Sequence, residues 1–422
     1  MTLHSSRSGL QPTMSASKIA QLSLGSRYSF RLSFLSLLLF LTVVILFARR
    51  PDQFLHPYLW DEEGLYTLRF YAESGWNTLF HPLAGYLIVA TKLLDLTAFQ
   101  LSILWAPEIA VALAVMLTFG ILAAVAFSPT YLRWRGFCAI AVLTIPSDAE
   151  VFATAAYAFW WAGILLLLVV LWRPERQWLR WTFIVFGGLS SPLIGTVTLL
   201  LGLRTMVERS PRELIATALA AIVAVIQVFA MHSEHLPLYF DAFGATSLML
   251  VIQKYMGGFF HAYSAPWIGF LVLVVLLGCA WFVRKRLDRY FFLLVLTFII
   301  ISLTVSFRMP LEAFAAIDPF DVAPRYFFYP FIMLSWLMIW LAALSPTPVR
   351  VGFVVAFASA IMLAGTGMSR RHDAVDWRQN ILACTNSVEY QLPIHYAGSA
   401  KDMWHLKLTG MQCRSLISRS LF

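Results

Sequence analysis

Apolar residues fall in long runs separated by short polar turns along most of the chain. The runs cover 30–48, 103–127, 136–146, 153–172, 181–190, 192–203, 214–231, 265–283, 289–306, 326–344 and 349–366. A helix needs about 20 apolar residues to cross a hydrocarbon core about 30 Å thick, so this pattern predicts membrane-spanning helices. The stretch 181–203 is interrupted at Ser190-Ser191-Pro192, and Pro192 disfavours one continuous helix. Two half-length helices meeting there fit better, and such helices are tolerated only inside a protein bundle. A single crossing at 181–203 is the other possibility, and it would invert everything downstream. The expectation is an all-α polytopic membrane protein with about eleven transmembrane helices.

The placement of charge sets the direction of these crossings. The clusters Arg133/Arg135, Arg173/Arg176/Arg180, Arg204/Arg209/Arg212 and Arg284-Lys285-Arg286 with Arg289 all fall on one side. An excess of Lys and Arg marks cytoplasmic turns. Residues 1–29 form a basic cytoplasmic tail on that same side. The first apolar run ends at Arg49-Arg50 without a small-residue cleavage site, so it reads as an uncleaved first span. The other side receives 49–102, 146–152, 232–264, 307–325 and a small extracytoplasmic tail, 367–422. Residues 30–366 then form the transmembrane domain.

Composition agrees with the pattern. Of 422 residues, 60% are hydrophobic and only 13% charged, and the mean hydropathy is +0.74. Soluble domains carry about a quarter charged residues. The formal charge of +9 comes in short clusters between apolar runs, which are topology signals and not a nucleic-acid footprint.

The first outer loop, 49–102, holds the most informative polar positions. Asp61 can cap a helix running to about Ser74, with Glu62 and Glu63 in its first turn and Gly75 past its end. Leu65, Leu68 and Ala72 share a face, and Arg69 can pair with Glu73 one turn on. After His81-Pro82, the stretch Leu83 to Ala98 reads as a second helix, interrupted by Lys92 and Asp95. Those charges suit a helix lying flat at the interface better than an isolated span. The loop is thus two juxtamembrane helices holding an acidic cluster at the membrane surface. The plainer reading is that Asp61 is a cap and its neighbours dipole partners.

One span, an outer loop with clustered acids and two juxtamembrane helices, then many irregular spans: this order resembles the GT-C superfamily of integral-membrane glycosyltransferases. The stretch Asp61-Glu62-Glu63-Gly64-Leu65-Tyr66, followed by Tyr71-Ala72-Glu73, is similar to the first-loop motif of aminoarabinose and protein mannosyl transferases. The lysine-proline-proline stretch frequent in that family is replaced here by Phe80-His81-Pro82-Leu83. The resemblance implies transfer of a sugar from a polyprenyl-phosphate carrier to a lipid, glycan or protein acceptor. It places the enzyme in a bacterial plasma membrane with the site facing the periplasm or exterior.

That chemistry needs a carboxylate to take the acceptor's proton, and Asp61 is the candidate general base, with Glu62 or Glu63 as alternates. Direct displacement would invert the anomeric centre. The departing phosphate should meet a fixed cation. Arg325, in Ala323-Pro324-Arg325-Tyr326, is the first candidate, and Arg308 and Lys254 are others. A headgroup anchor, or an ion pair with Asp318 or Asp321, explains Arg325 equally well. His81, Tyr326 and Trp160 are candidate substrate contacts. Asp148 and Glu150, in a short outer turn, resemble the acid-x-acid pair of oligosaccharyltransferases and are candidate ligands for Mg²⁺ or Mn²⁺. A solvated turn after Pro146 also explains them. His232, Glu234 and His235 face outward but lack a recognisable third partner.

Cys138 and Cys279 fall within spans, where they act as small hydrophobes. Cys384 and Cys413 lie in the outer tail, where they can pair. Tyr255 to Ser264 is read as a re-entrant loop or an ordinary connector. A transporter or flippase, which would bury charges in mid-span, and a polysaccharide polymerase, which would not need Asp61, are the competing classes.

Overall fold

The structure is a computed structural model and describes residues 16–233, 245–262, 265–306, 309–396, 399, 401 and 403–422. The helices in chain order are α1 (Ala16–Arg49), α2 (Pro51–Leu55), α3 (Leu68–Ser74), α4 (Val89–Leu101), α5 (Ala106–Phe127), α6 (Arg135–Leu143), α7 (Ala158–Val170), α8 (Gln177–Ser190) and α9 (Ile194–Glu208). They continue as α10 (Pro211–Ser233), α11 (Ala245–Val251), α12 (Pro266–Phe282), α13 (Arg289–Ser306), α14 (Leu311–Ala316), α15 (Phe328–Leu344) and α16 (Thr347–Ala364). The chain ends with α17 (Trp377–Thr385), the antiparallel pair β1 (Glu389–His395) and β2 (Met403–Thr409), and α18 (Gly410–Arg419).

Among the described residues, five helices are long and apolar enough to cross a membrane: Leu32–Arg49, Ala106–Phe127, Pro211–Ser233, Pro324–Leu344 and Thr347–Met368. Ala158–Val170, Pro266–Phe282 and Arg289–Thr304 are shorter apolar helices, and the run at 136–146 is the nine-residue α6. The apolar lengths in the sequence thus correspond to helices of uneven reach. A helix apolar all round belongs in the interior. The span holding α15 is accordingly 89% buried, whereas the one holding α16 is 17% buried and presents Val351, Val354, Val355 and Met362 outward.

Contacts sort the turns into two ends of the bundle. At the basic end, Arg180 and Arg204 both reach Glu213, Arg133 meets Asp288, and Arg286 donates to the Leu344 carbonyl. At the loop end lie 49–60, 143–157, the 190–193 turn and 318–329. The chain reverses at Ser191–Leu193, so α8 and α9 pack as a hairpin between the two ends. Ser190 there accepts from the Ala90 amide of α4, while Arg180 and Arg204 share Glu213 at the far end.

The first loop and the C-terminal tail build one lobe on the loop end. Leu59, Leu68, Tyr71, Phe99 and Ile103 share a core with Trp377, Ile381, Leu392, Ile394 and Leu416. Cys384 and Cys413 form a disulfide between α17 and α18. The last residues tie back, with the Leu421 amide donating to the Gln100 carbonyl and Phe422 to Leu101.

One expected element differs. The helix foreseen from Leu83 starts only at Val89, because Leu83 and Tyr86 close a tight turn through Ala84 and Gly85, both at positive φ. The two charges of α4 do not face a surface either. The helix packs against α5, α7 and α8, and Lys92 and Asp95 are fully buried. The two charges sit one turn apart on its inner face, next to Glu63, so they offset one another inside the protein.

Candidate active site

The acidic segment is built by local backbone bonding. The Trp60 amide donates to Glu63 Oε2 at 2.8 Å, and the Glu63 amide donates to the Trp60 carbonyl at 2.8 Å. Glu63 thus reaches back as the third residue of a capping box does. Asp61 does not serve as the cap; it sits at φ +40°, a left-handed conformation uncommon outside glycine. A π-helical turn, Glu63–Thr67, follows and passes into α3, which ends at Gly75 with φ +58°. Arg69 and Glu73 pair at 3.2 Å, as their spacing predicts.

Glu62 and Glu63 line a cavity of about 470 Å³ together with Arg325, Tyr326, Trp160 and Tyr329. Its remaining wall is largely apolar, from Leu83, Ile88, Phe159, Leu193 and Met231. Asp61 is not among the lining residues, but its carboxyl lies beside that of Glu62. Burial first, and then the Glu62 charge, push Asp61 up to about 8, against an opposing pull from Arg325. At neutral pH Asp61 therefore keeps its proton, beside Glu62. Glu63 is pushed up to about 7 by burial, and Asp95, buried beside it, is held well above the carboxylate range for the same reason. Carboxyl groups this close and this dry cannot both ionise.

Arg325 reaches the cavity from the turn before α15. Its Nη1 donates to Glu150 Oε1 at 2.6 Å and its amide to Glu150 Oε2 at 3.1 Å. Tyr157 donates to the same Oε1 at 2.8 Å. No described residue hydrogen-bonds to Nη2, so the guanidinium keeps donors for a further anion. The expected partners Asp318 and Asp321 are not used; Asp318 instead accepts from the amides of Phe320 and Asp321.

The proposed metal pair takes another role. Asp148 is bridged to Arg370 at 3.0 Å and Glu150 to Arg325 at 2.6 Å. Among the described residues, no group of three or more His, Cys, Asp or Glu side chains is placed to hold a metal ion. Each carboxylate is matched by an arginine, so neither presents the open oxygen set that Mg²⁺ or Mn²⁺ needs. Two other candidates lie off the cavity. Lys254 is buried and donates to the Ile317 carbonyl at 2.7 Å, and exposed His81 stacks on Phe70 with ring centres 5.2 Å apart. Arg308, Glu234 and His235 lie outside the described residues. Tyr255 packs on Phe314 and Phe327, away from the cavity lining.

Sequence reasoning missed Tyr157, Arg370, and the pair Arg49-Arg50. Both members of that pair are fully buried. Arg49 donates to the carbonyls of Leu143 and Ile145 at 3.0 Å and also to that of Ser147. Arg50 donates to Tyr58 at 2.7 Å and to the carbonyls of Ala149 and Phe152. Together they hold the loop that carries Asp148 and Glu150. The signal was present: two arginines on the side otherwise poor in base. No family model, curated protein or solved structure matches the chain.

Proposed function

We propose that the protein is a membrane glycosyltransferase that moves a sugar from a polyprenyl-phosphate donor to a hydroxyl-bearing acceptor. The observation that carries this reading is a single cavity in which a carboxylate, Glu62, and a guanidinium with spare donors, Arg325, meet a mostly apolar wall. A donor with an apolar chain, a phosphate and a sugar matches that division.

In this reading the acceptor hydroxyl gives its proton to Glu62 as its oxygen attacks the anomeric carbon. The bond from that carbon to the phosphate oxygen breaks, and the charge left on the phosphate is met by Arg325. One displacement inverts the anomeric centre. Asp61, which burial keeps protonated, lies beside Glu62, so the two acids work as a pair. Trp160 and Tyr326 provide ring faces for the sugar. In this reading the chain crosses eleven times, with the basic end in the cytoplasm and the cavity at the opposite face, following the positive-inside rule.

The test is purified protein in lipid nanodiscs with radiolabelled polyprenyl-phosphate sugars and membrane-extract acceptors. Label moving from the prenyl carrier to acceptor, with release of polyprenyl phosphate, is the expected result. Label that changes leaflet in liposomes while its sugar–phosphate bond stays intact would replace the reading with that of a flippase.

A further inference from the structure

Asp61 holds a backbone conformation that non-glycine residues avoid, so something outside the segment must enforce it. Four contacts hold its neighbours Trp60 and Gly64, and all four come from the far end of the chain. Trp60 forms a parallel bridge with His395 of β1. The indole of Trp60 stacks on His372, ring centres 4.4 Å apart, and lies 5.5 Å from the Arg370 guanidinium. His395 is anchored by its Nε2 bond to the Asp373 carbonyl at 2.7 Å. Ile394, 1% exposed, occupies the space a side chain at position 64 would need. A Cβ on Gly64 would lie 2.5 Å from its Cδ1, 2.6 Å from Cγ2 and 3.0 Å from Cγ1. Three atoms of a β-branched, buried side chain cannot all step aside by one rotamer change.

We propose that the C-terminal hairpin is a wall of the active site, in which Ile394 and His395 are positioning residues for the acidic segment Trp60–Gly64. This inference rests on the glycosyltransferase reading for its effect on turnover, though not for its effect on geometry. The tail is stiff enough for the task. Strand β1 pairs with β2 over seven residues, and the disulfide joins the helices on either side of the hairpin. A shift of β1 moves Trp60 through the bridge and Gly64 through Ile394, and with them the carboxyl pair Asp61/Glu62. The absence of a side chain at Gly64 is then a fit between two segments 330 positions apart (394 minus 64).

A cycle of full-length variants in nanodiscs tests this: Gly64→Ala, Ile394→Ala and the double variant. Two readouts are taken: steady-state transfer, and the rate at which a diazo reagent esterifies Asp61 and Glu62, followed by peptide mass spectrometry. Gly64→Ala is expected to lower kcat about a hundredfold, as a misplacement of about 1 Å does, with donor KM within about twofold. It should also change the esterification rate. Ile394→Ala makes room for the new methyl, so the double variant should recover to within about tenfold of wild type in both readouts.

A double variant as slow and as altered as Gly64→Ala alone would overturn the inference. So would unchanged esterification in Gly64→Ala. Should Gly64→Ala fail to fold, Ile394→Ala alone decides: kcat about tenfold lower at unchanged donor KM supports positioning, and wild-type kcat and labelling refute it. Wild-type protein that transfers no sugar would sink the enzymatic reading, while the esterification cycle would still decide on the wall.

Discussion

The two ends of the bundle treat buried charge in opposite ways. At the basic end, Arg180 and Glu213 form a two-bond fork at 2.8 and 2.7 Å, Arg204 adds contacts to Glu213 and Glu208, and Tyr290 donates to Glu208. Acids and bases there are matched, and the network holds α8, α9, α10 and the start of α13 together. At the loop end, Asp61, Glu62, Glu63 and Asp95 crowd round a cavity with Lys92 and Arg325 as the nearby cations. Acids outnumber bases, burial raises the carboxyls of Asp61, Glu63 and Asp95 above their ordinary range, and one guanidinium keeps free donors. A matched network serves architecture; an unmatched one, costly to keep, is what the proposed site of chemistry requires.

Several substitutions would break or sharpen that contrast. The largest stability effect belongs to the basic end. Arg180→Ala removes the two-bond fork and leaves Glu213 to Arg204 alone, which should cost about 3 kcal/mol, read as a lowered thermal midpoint, with transfer per folded molecule unchanged. A loss of transfer without loss of stability would erase the distinction between the ends. Arg325→Ala leaves buried Glu150 to Tyr157 and the residue-325 amide and lowers stability too, but per folded molecule it should reduce donor use by about a hundredfold or more, measured as kcat/KM for the polyprenyl-phosphate sugar. Unchanged donor dependence would make Arg325 only a partner for Glu150.

The loop end should also show itself in the pH dependence of stability. Asp61 titrates near about 8 and Glu63 near about 7 in the fold, both above the usual carboxylate range of about 4. Between those limits the folded state binds more protons than the unfolded one, so stability is full below about pH 4 and is lost as pH rises through about 7 to 8. The thermal midpoint should fall between pH 6 and pH 9, and Glu63→Gln should flatten that fall. The smallest effect expected is at the exposed pair Arg69–Glu73, where Arg69→Ala should change stability by no more than about 0.5 kcal/mol.

Much of the fold was legible because apolar run length and proline placement act locally. The break at Pro192 marked the α8–α9 reversal, and the Gly75 stop and the Arg69–Glu73 pair followed from helix geometry. The acidic segment was legible as chemistry, but not the division of labour within it. That division depends on a left-handed turn at Asp61 and on Glu63 capping Trp60, which no spacing rule foretells. Lys92 and Asp95 were misplaced because two charges on a helix read as surface when their partner, Glu63, is distant in sequence. Asp148 and Glu150 looked like metal ligands for the same reason: Arg370 and Arg325 reach them across 222 and 175 positions.

The most direct test compares transfer rates of Glu62→Gln and Asp61→Asn with wild type under saturating donor and acceptor. Glu62 as the proton acceptor requires a loss of about a thousandfold or more in Glu62→Gln, and a smaller loss in Asp61→Asn, whose amide still lies beside Glu62. Wild-type turnover by Glu62→Gln would contradict it.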